Sequence, residues 1–208
     1  MIAPRARMRG VSLRNALLVV AAVIAIGWWL DGTKAVVQSP GVLVPAKPAQ
    51  GAVPAGARTF QKEGFTITPL ATFALEARVL SREDYSFDTG AAIAPTDLAL
   101  GWGPMSDSAV LEKLSITQGT RWWRWQSDDP PLTRGEIEGS AANMHLIPAD
   151  DDVAAALTRV REGDVVALRG YLVEAARDDG WRWRSSLSRS DSGSGACELI
   201  WVEALSVR

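Results

Sequence analysis

The sequence is nearly devoid of the two residue types that most often build metal centres and covalent cross-links. Its 208 residues contain one cysteine, Cys197, and one histidine, His145. A single cysteine excludes an intramolecular disulfide and a zinc site made of several thiolates. A metal would have to bind carboxylates and carbonyl groups, or the sparse set of Met144, His145 and Cys197. We therefore expect neither a metal nor a cofactor.

Positive charge is also scarce outside the N-terminal segment. The whole chain has a formal net charge of -2, of which residues 1–34 carry +4 and the remaining 174 residues carry -6. Affinity for phosphate backbones comes mainly from basic contacts that release counterions. The acidic body therefore disfavours nucleic acid as a partner.

One long apolar run is present, at residues 15–30 (NALLVVAAVIAIGWWL), and it contains no charged residue. With residues 11–14 it reaches about the 20 residues that a membrane-spanning helix needs. Four arginines precede the run, and Trp28 and Trp29 end it, which predicts a cytoplasmic segment 1–14 and a retained anchor 15–30. A cleaved signal peptide is the alternative, although small residues for cleavage are lacking. A buried globular helix is a third interpretation.

Residues 31–57 separate this run from the rest of the chain. They are rich in proline, glycine and alanine, a composition typical of a semi-extended tether that cannot bury enough surface to fold alone. We therefore predict a linker at 31–57 and a folded domain at 58–208.

The predicted domain shows short strand patterns and few helices. Apolar and polar residues alternate from Thr72 to Val79, and the turn RDDG at 177–180 lies between two further strand patterns. A helix is predicted at 151–162, where three aspartates precede an apolar stripe. These features predict a mainly β domain with one or two short helices. We expect a small antiparallel barrel of the oligonucleotide/oligosaccharide-binding (OB) type after the transmembrane helix.

Four segments resemble an uncharacterised family of bacterial membrane-anchored proteins with a small OB-like β-barrel domain. They are GWGPMSD (101–107), ANMHLIPAD (142–150), RGYLVEA (169–175) and GWRWRSSLSRSDSGSGACE (180–198). The resemblance extends over roughly residues 60–205. It implies a bacterial membrane-anchored protein and no particular activity. Together with the arginines before the apolar run, it leads us to expect a single-pass protein of the inner membrane, with the N-terminus inside and the C-terminal domain in the periplasm.

Alternating tryptophan and arginine residues are the first candidate for a binding surface. An exposed aromatic face could stack on sugars or bases, whereas a buried face would fill the core. The candidate ligand-binding residues are Trp122, Arg124, Arg182, Arg184, Ser185 and Arg189. Trp123, Trp125, Trp181 and Trp183 are expected in the core.

Cys197 and His145 are the second candidate, as a thiol nucleophile and its base, with Asn143 orienting the imidazole. A free cysteine that begins an alternating strand is more typical of the core. We therefore expect no catalytic residues. The function predicted from the sequence is a membrane-tethered, extracytoplasmic recognition or assembly module with a protein or glycan partner. A cysteine-dependent hydrolase or thiol enzyme is the alternative.

Overall fold

A computed structural model describes residues 15, 18–20, 34–188 and 197–208, and this part of the chain is mainly β. Ala35–Arg208 forms one compact unit. Within the described residues, no helix is both long and apolar enough to span a bilayer. The predicted cytoplasmic segment 1–14 lies outside the described residues. Of the predicted anchor 15–30, only four residues are described.

The compact unit contains ten strands among its described residues, together with three short α-helices. The strands are β1 (Ala49–Gly51), β2 (Phe60–Lys62), β3 (Phe65–Asp84), β4 (Thr96–Gly101), β5 (Ser115–Gly119), β6 (Trp122–Gln126), β7 (Ala141–Pro148), β8 (Val165–Ala176), β9 (Arg182–Arg184) and β10 (Glu198–Val207). The helices are α1 (Ser108–Leu111), α2 (Arg134–Glu138) and α3 (Asp151–Leu157).

The long strand β3 organises the main sheet because it changes partner along its length. Residues 66–78 pair with β8, and residues 78–84 pair with β4. β4 pairs with β7, β7 pairs in parallel with β10, and β10 pairs with β8, so the pairings lead back to β3. Register shifts at Pro69/Ala71 and Val79/Ser81 bend β3, as β-bulges do. β1 and β2 extend the sheet at β3, and β9 extends it at β8.

Alternation along the strands divides the core between the two faces of this sheet. On one face, Leu98 of β4 and Met144 of β7 pack with Val153 and Leu157 of α3. α3 begins at Asp151 because the Asp150 side chain accepts the Val153 N–H at 2.9 Å. The helix predicted at 151–162 is present, but it ends at Leu157.

The opposite face of the sheet is covered by two elements that are rich in aromatic residues. Trp181 and Trp183 pack near the buried Ile147 and Leu199. The β5–β6 hairpin packs Trp123 and Trp125 against a cluster that includes Ala99 of β4. All four tryptophans are half-buried, so they form a layer on the sheet rather than its centre.

The segment predicted to be a linker contacts the body from Ala35 onward. Val44 is 2% exposed and belongs to the first core cluster. The Leu43 and Val44 N–H groups donate to Ser106 Oγ at 3.1 and 3.0 Å. Residues 49–51 add strand β1 to the sheet. A free tether is therefore wrong for residues 35–51, because a distant part of the chain supplies the hydrogen bonds and apolar contacts that the segment lacks by itself.

Candidate functional site

Three segments that are distant in sequence surround an open groove beside the face of β4 and β7. They are residues 83–90 at and after the end of β3, the turn between β5 and β6, and residues 181–183 around β9. The cavity volume is about 870 Å³, within the range of about 300–1,000 Å³ typical of ligand sites. This groove is the candidate functional site.

The turn between β5 and β6 is strained in a way that positions one side chain. Thr120 and Arg121 form a two-residue connection, with φ angles of 52° and 66°. Two-residue hairpin turns favour such angles, but they normally use Asn-Gly or a similar pair. Side chains other than glycine pay a conformational cost at positive φ, which persists when the surrounding contacts determine the geometry. In this protein, the contacts of Arg121 do so.

The Arg121 guanidinium links the turn to the groove and to the sheet. Nε and Nη2 donate to the two carboxylate oxygens of Asp88, at 3.1 and 2.9 Å, and Nη1 donates to Asp97 Oδ1 at 2.7 Å. Its central carbon lies 3.8 Å from the centroid of the Tyr85 ring and 5.3 Å from that of Trp183. One partly buried cation therefore compensates two carboxylates and lies near two aromatic rings.

Below Arg121, a set of buried polar side chains lies on the sheet face. Asp97 of β4 is directly opposite His145 of β7, and Asp97 Oδ2 lies 2.8 Å from His145 Nδ1. Asp97 is 0% exposed and His145 is 2% exposed. Asn143 Nδ2 donates to the Arg121 carbonyl oxygen at 3.1 Å, while its Oδ1 accepts from Gln118 Nε2 at 2.6 Å. The cluster therefore fixes the hairpin through both backbone and side-chain contacts.

Two groups at the groove have shifted protonation equilibria. Burial raises the pKa of Tyr85 and outweighs the opposite effect of the Arg121 backbone N–H, which donates to the Tyr85 hydroxyl oxygen at 2.9 Å. Burial alone would raise the pKa of Asp88. The Arg121 hydrogen bonds and charge, with the Ala91 N–H, outweigh burial and hold that pKa below its usual range. Asp88 is thus a stable anion at neutral pH.

The catalytic candidates meet on one sheet face, but they do not form an open catalytic site. Cys197 Sγ contacts the Arg121 carbonyl oxygen at 3.8 Å, the same oxygen that Asn143 binds. His145 is oriented towards Asp97 and lies against Trp183, with 4.6 Å between ring centroids. The imidazole is nearly inaccessible to solvent, so a substrate could not approach it without displacement of these neighbours.

Met144, His145 and Cys197, the possible metal ligands named above, do not point to a common site. Met144 packs in the first core cluster, whereas the adjacent His145 points to the opposite face of β7. Among the described residues, no three His, Cys, Asp or Glu side chains are grouped as metal ligands.

The predicted ligand-binding residues are dispersed. Trp122 and Arg124 lie on the face of the hairpin that points away from the sheet. Arg182 lines the groove, and both Arg182 and Arg184 form ion pairs with Glu174 at 3.0 Å. Ser185 is buried, and its Oγ accepts the Leu199 N–H. Arg189 lies outside the described residues.

Sequence reasoning missed Arg121, Asp97 and the aromatic residues Tyr85 and Phe87. Two signals were available. Thr120-Arg121 separates two strand patterns by the two residues that a tight hairpin requires. Asp97 interrupts the apolar run TDLALG, and a carboxylate within a buried strand requires a partner.

Comparisons with protein-family models, with curated proteins and with solved structures find no match to this chain. The resemblance described above therefore depends on its four segments alone. The geometry of the groove carries the functional argument.

Proposed function

We propose that this protein is a recognition or assembly module without catalytic activity, tethered to the bacterial inner membrane by residues 15–30, with its compact unit in the periplasm. The observation that carries the proposal is the open groove with aromatic walls. Phe87, at its rim, is 100% exposed. A large exposed aromatic side chain beside a concave surface is typical of interaction sites.

We further propose that the main sheet is an OB-like barrel. The order β3-β4-β7-β10-β8, with the return of β8 to β3, supports this interpretation, as does the position of α3 between β7 and β8. In OB folds the second and third strands and two adjacent loops form the binding surface. In this interpretation those strands are β4 and β7, and the groove is lined by residues 83–90, which lead into the β3–β4 connection, and by residues 181–183, between β8 and β10.

The state of the polar cluster supports a non-catalytic role. Arg121 neutralises Asp97, and His145 is buried beside the same carboxylate. Groups prepared for general acid–base catalysis must instead reach a substrate proton. The cluster is better suited to hold the hairpin and the groove wall in place.

A cysteine-dependent enzyme is the second candidate, and one observation favours it. Asp97 contacts His145 on the sheet face where alternation also places Cys197, which supplies the residue types of a thiol-enzyme triad. The contact of Cys197 with the Arg121 carbonyl and the burial of His145 oppose this function. The accessibility of the thiol in the native protein separates the two candidates.

The localisation is tested with a reporter fused after Arg208 that is active only outside the cytoplasm. The arginines that precede the apolar run predict activity of this reporter. Activity of a cytoplasmic reporter at the same position would contradict the proposed topology.

The recognition role is tested by quantitative co-purification with the tagged full chain extracted in neutral detergent. Phe87→Ser removes the exposed ring, and Val42→Ser removes an apolar side chain that is half exposed and does not line the groove. We expect a defined set of proteins to be depleted in Phe87→Ser and retained in Val42→Ser. Identical profiles for the wild type and both variants would contradict recognition through the groove.

A further inference from the structure

We propose that the groove binds a lysine or arginine side chain presented by an extended segment of a partner polypeptide. This inference rests on the proposed recognition function and specifies the ligand of the same site. The aromatic walls, the charge of the rim and the environment of Arg121 support it.

The walls of the groove present aromatic surface in several orientations. Trp181 and Trp183 are arranged edge to face, with 6.1 Å between ring centroids and an interplanar angle of 85°. Tyr85 and the exposed Phe87 also line the groove. Rings at steep angles to one another surround a ligand cation more readily than they stack on a flat sugar or base.

The rim of the groove is acidic. Glu83, Asp84 and Asp88 line it, together with the cations Arg121 and Arg182, which have carboxylate partners. Asp84 and Asp88 are paired in turn with Arg82 and Arg121, so Glu83 is the rim carboxylate that remains for a ligand cation. In the described part of the chain Glu83 forms no ion pair. The surrounding body adds to this field, because residues 35–208 carry a net negative charge. A cationic segment is therefore complementary, and an anionic one is repelled.

Arg121 shows that these surroundings accommodate a cation. Its guanidinium is held by Asp88 and lies over Tyr85 and near Trp183, so a carboxylate and two rings of the groove already bind a positive group. The open volume of about 870 Å³ leaves room for a second cation beside Glu83 and Phe87. Since Arg121 occupies Asp88 and lies over Tyr85, an incoming side chain would meet groups of the same kinds in Glu83, Phe87 and Trp181.

An oligosaccharide is the main competing ligand, because aromatic residues and carboxylates also bind sugars. A neutral sugar gains nothing from the net charge of the rim, and its affinity would be nearly independent of salt. Charge complementarity therefore favours the polypeptide, and the sugar becomes an outcome of the test.

The experiment is a calorimetric titration of the full chain in a neutral polyoxyethylene detergent. The probes are a capped seven-residue peptide with two lysines, the same peptide with glutamine or glutamate at those positions, and a neutral tetrasaccharide of N-acetylglucosamine. We expect saturable binding of the lysine peptide, weakened by added salt. The glutamine peptide should bind about tenfold more weakly, which corresponds to the loss of one favourable cation contact.

Two charge-neutralising variants provide the matched comparison. Glu83→Gln should weaken binding of the lysine peptide about threefold to tenfold. Glu203→Gln, at an exposed carboxylate that does not line the groove, should leave binding unchanged. Near-ultraviolet circular dichroism confirms that both variants keep the native fold.

The possible outcomes separate this inference from the proposed function. Equal binding of the lysine and glutamine peptides, or salt-independent binding of the tetrasaccharide alone, would overturn the cation inference and leave groove recognition intact. Binding of no probe would also overturn it. If Phe87→Ser then depletes no partner from the co-purified proteins, the proposed function fails as well.

Discussion

Replacement of Arg121 with alanine is predicted to be one of the most destabilising single changes in the hairpin. The substitution leaves Asp97 fully buried without its guanidinium partner. Removal of one partner from a buried ion pair typically costs about 3–5 kcal/mol. The contact with Asp88 adds little, because that carboxylate is 44% exposed and exposed pairs contribute at most about 1 kcal/mol. Alanine also retains the cost of positive φ at this position.

The assay is urea unfolding of the detergent-solubilised full chain, followed by tryptophan fluorescence. With an m-value of about 2 kcal/mol/M, a loss of 3–5 kcal/mol lowers the unfolding midpoint by about 2 M. Arg124→Ala is the control, since Arg124 lies on the exposed face of the same hairpin and should change the free energy of unfolding by less than about 0.5 kcal/mol. The double variant Arg121→Ala/Asp97→Asn should recover part of the loss, because it removes the uncompensated charge.

The reasoning is refuted if Arg121→Ala is as mild as Arg124→Ala. It is also refuted if Asp97→Asn does not reduce the effect of Arg121→Ala. Either result would mean that Asp97 is compensated by other groups and that the turn is held by its tryptophans alone.

The remaining predictions concern three other parts of the chain. A chain that begins at residue 58 should melt well below one that begins at Ala35, because the deletion removes β1 and buried apolar contacts; equal melting temperatures would contradict the packing of that segment. Asp88→Asn should flatten the acid-induced loss of stability. Because the pKa of Asp88 is lowered in the folded protein, this carboxylate stabilises the fold above pH 3.8, its usual pKa, and the stabilisation is lost as the pH falls through the folded-state pKa. An unchanged pH profile of stability in Asp88→Asn would contradict this contribution. Cys197 should react slowly with a maleimide in the native protein and rapidly after denaturation, and Cys197→Ala should fold normally. Rapid native labelling that is lost in His145→Ala would favour the enzyme.

The strands that could be predicted from the sequence are those with one polar face. β8 and the first half of β3 alternate, and the turn at 177–180 marks the hairpin to β9. β4 was missed because every one of its six residues is buried, so it shows no period of two. β7 was missed for a similar reason.

The prediction of a free tether for the Pro/Gly/Ala-rich segment was wrong for another reason. Its composition describes what the segment can do alone, whereas its place in the fold depends on Ser106, Glu162 and other distant groups. Contacts of this kind depend on tertiary structure and leave no local pattern.

The candidate site was predicted only in part. Arg182 was a predicted ligand-binding residue and lines the groove, whereas Trp183 was expected in the core and is half-buried at the groove wall. Asn143 and Cys197 were considered together only as parts of a catalytic alternative, and both contact the carbonyl of Arg121, a residue that the sequence did not single out. Arg121 acquires its role only when the hairpin folds onto β4, because Asp88 and Asp97 are 33 and 24 positions away.

Site-specific photo-crosslinking in living cells tests most directly the central claim that the groove recognises a partner. A photoreactive residue replaces Phe87 at the rim or, as the matched control, Thr117, which is exposed on the outward face of the hairpin. The proposed function predicts a discrete adduct from position 87, weakened by Glu83→Gln, and none from position 117. An adduct from position 117 alone, or no adduct from position 87, would contradict it.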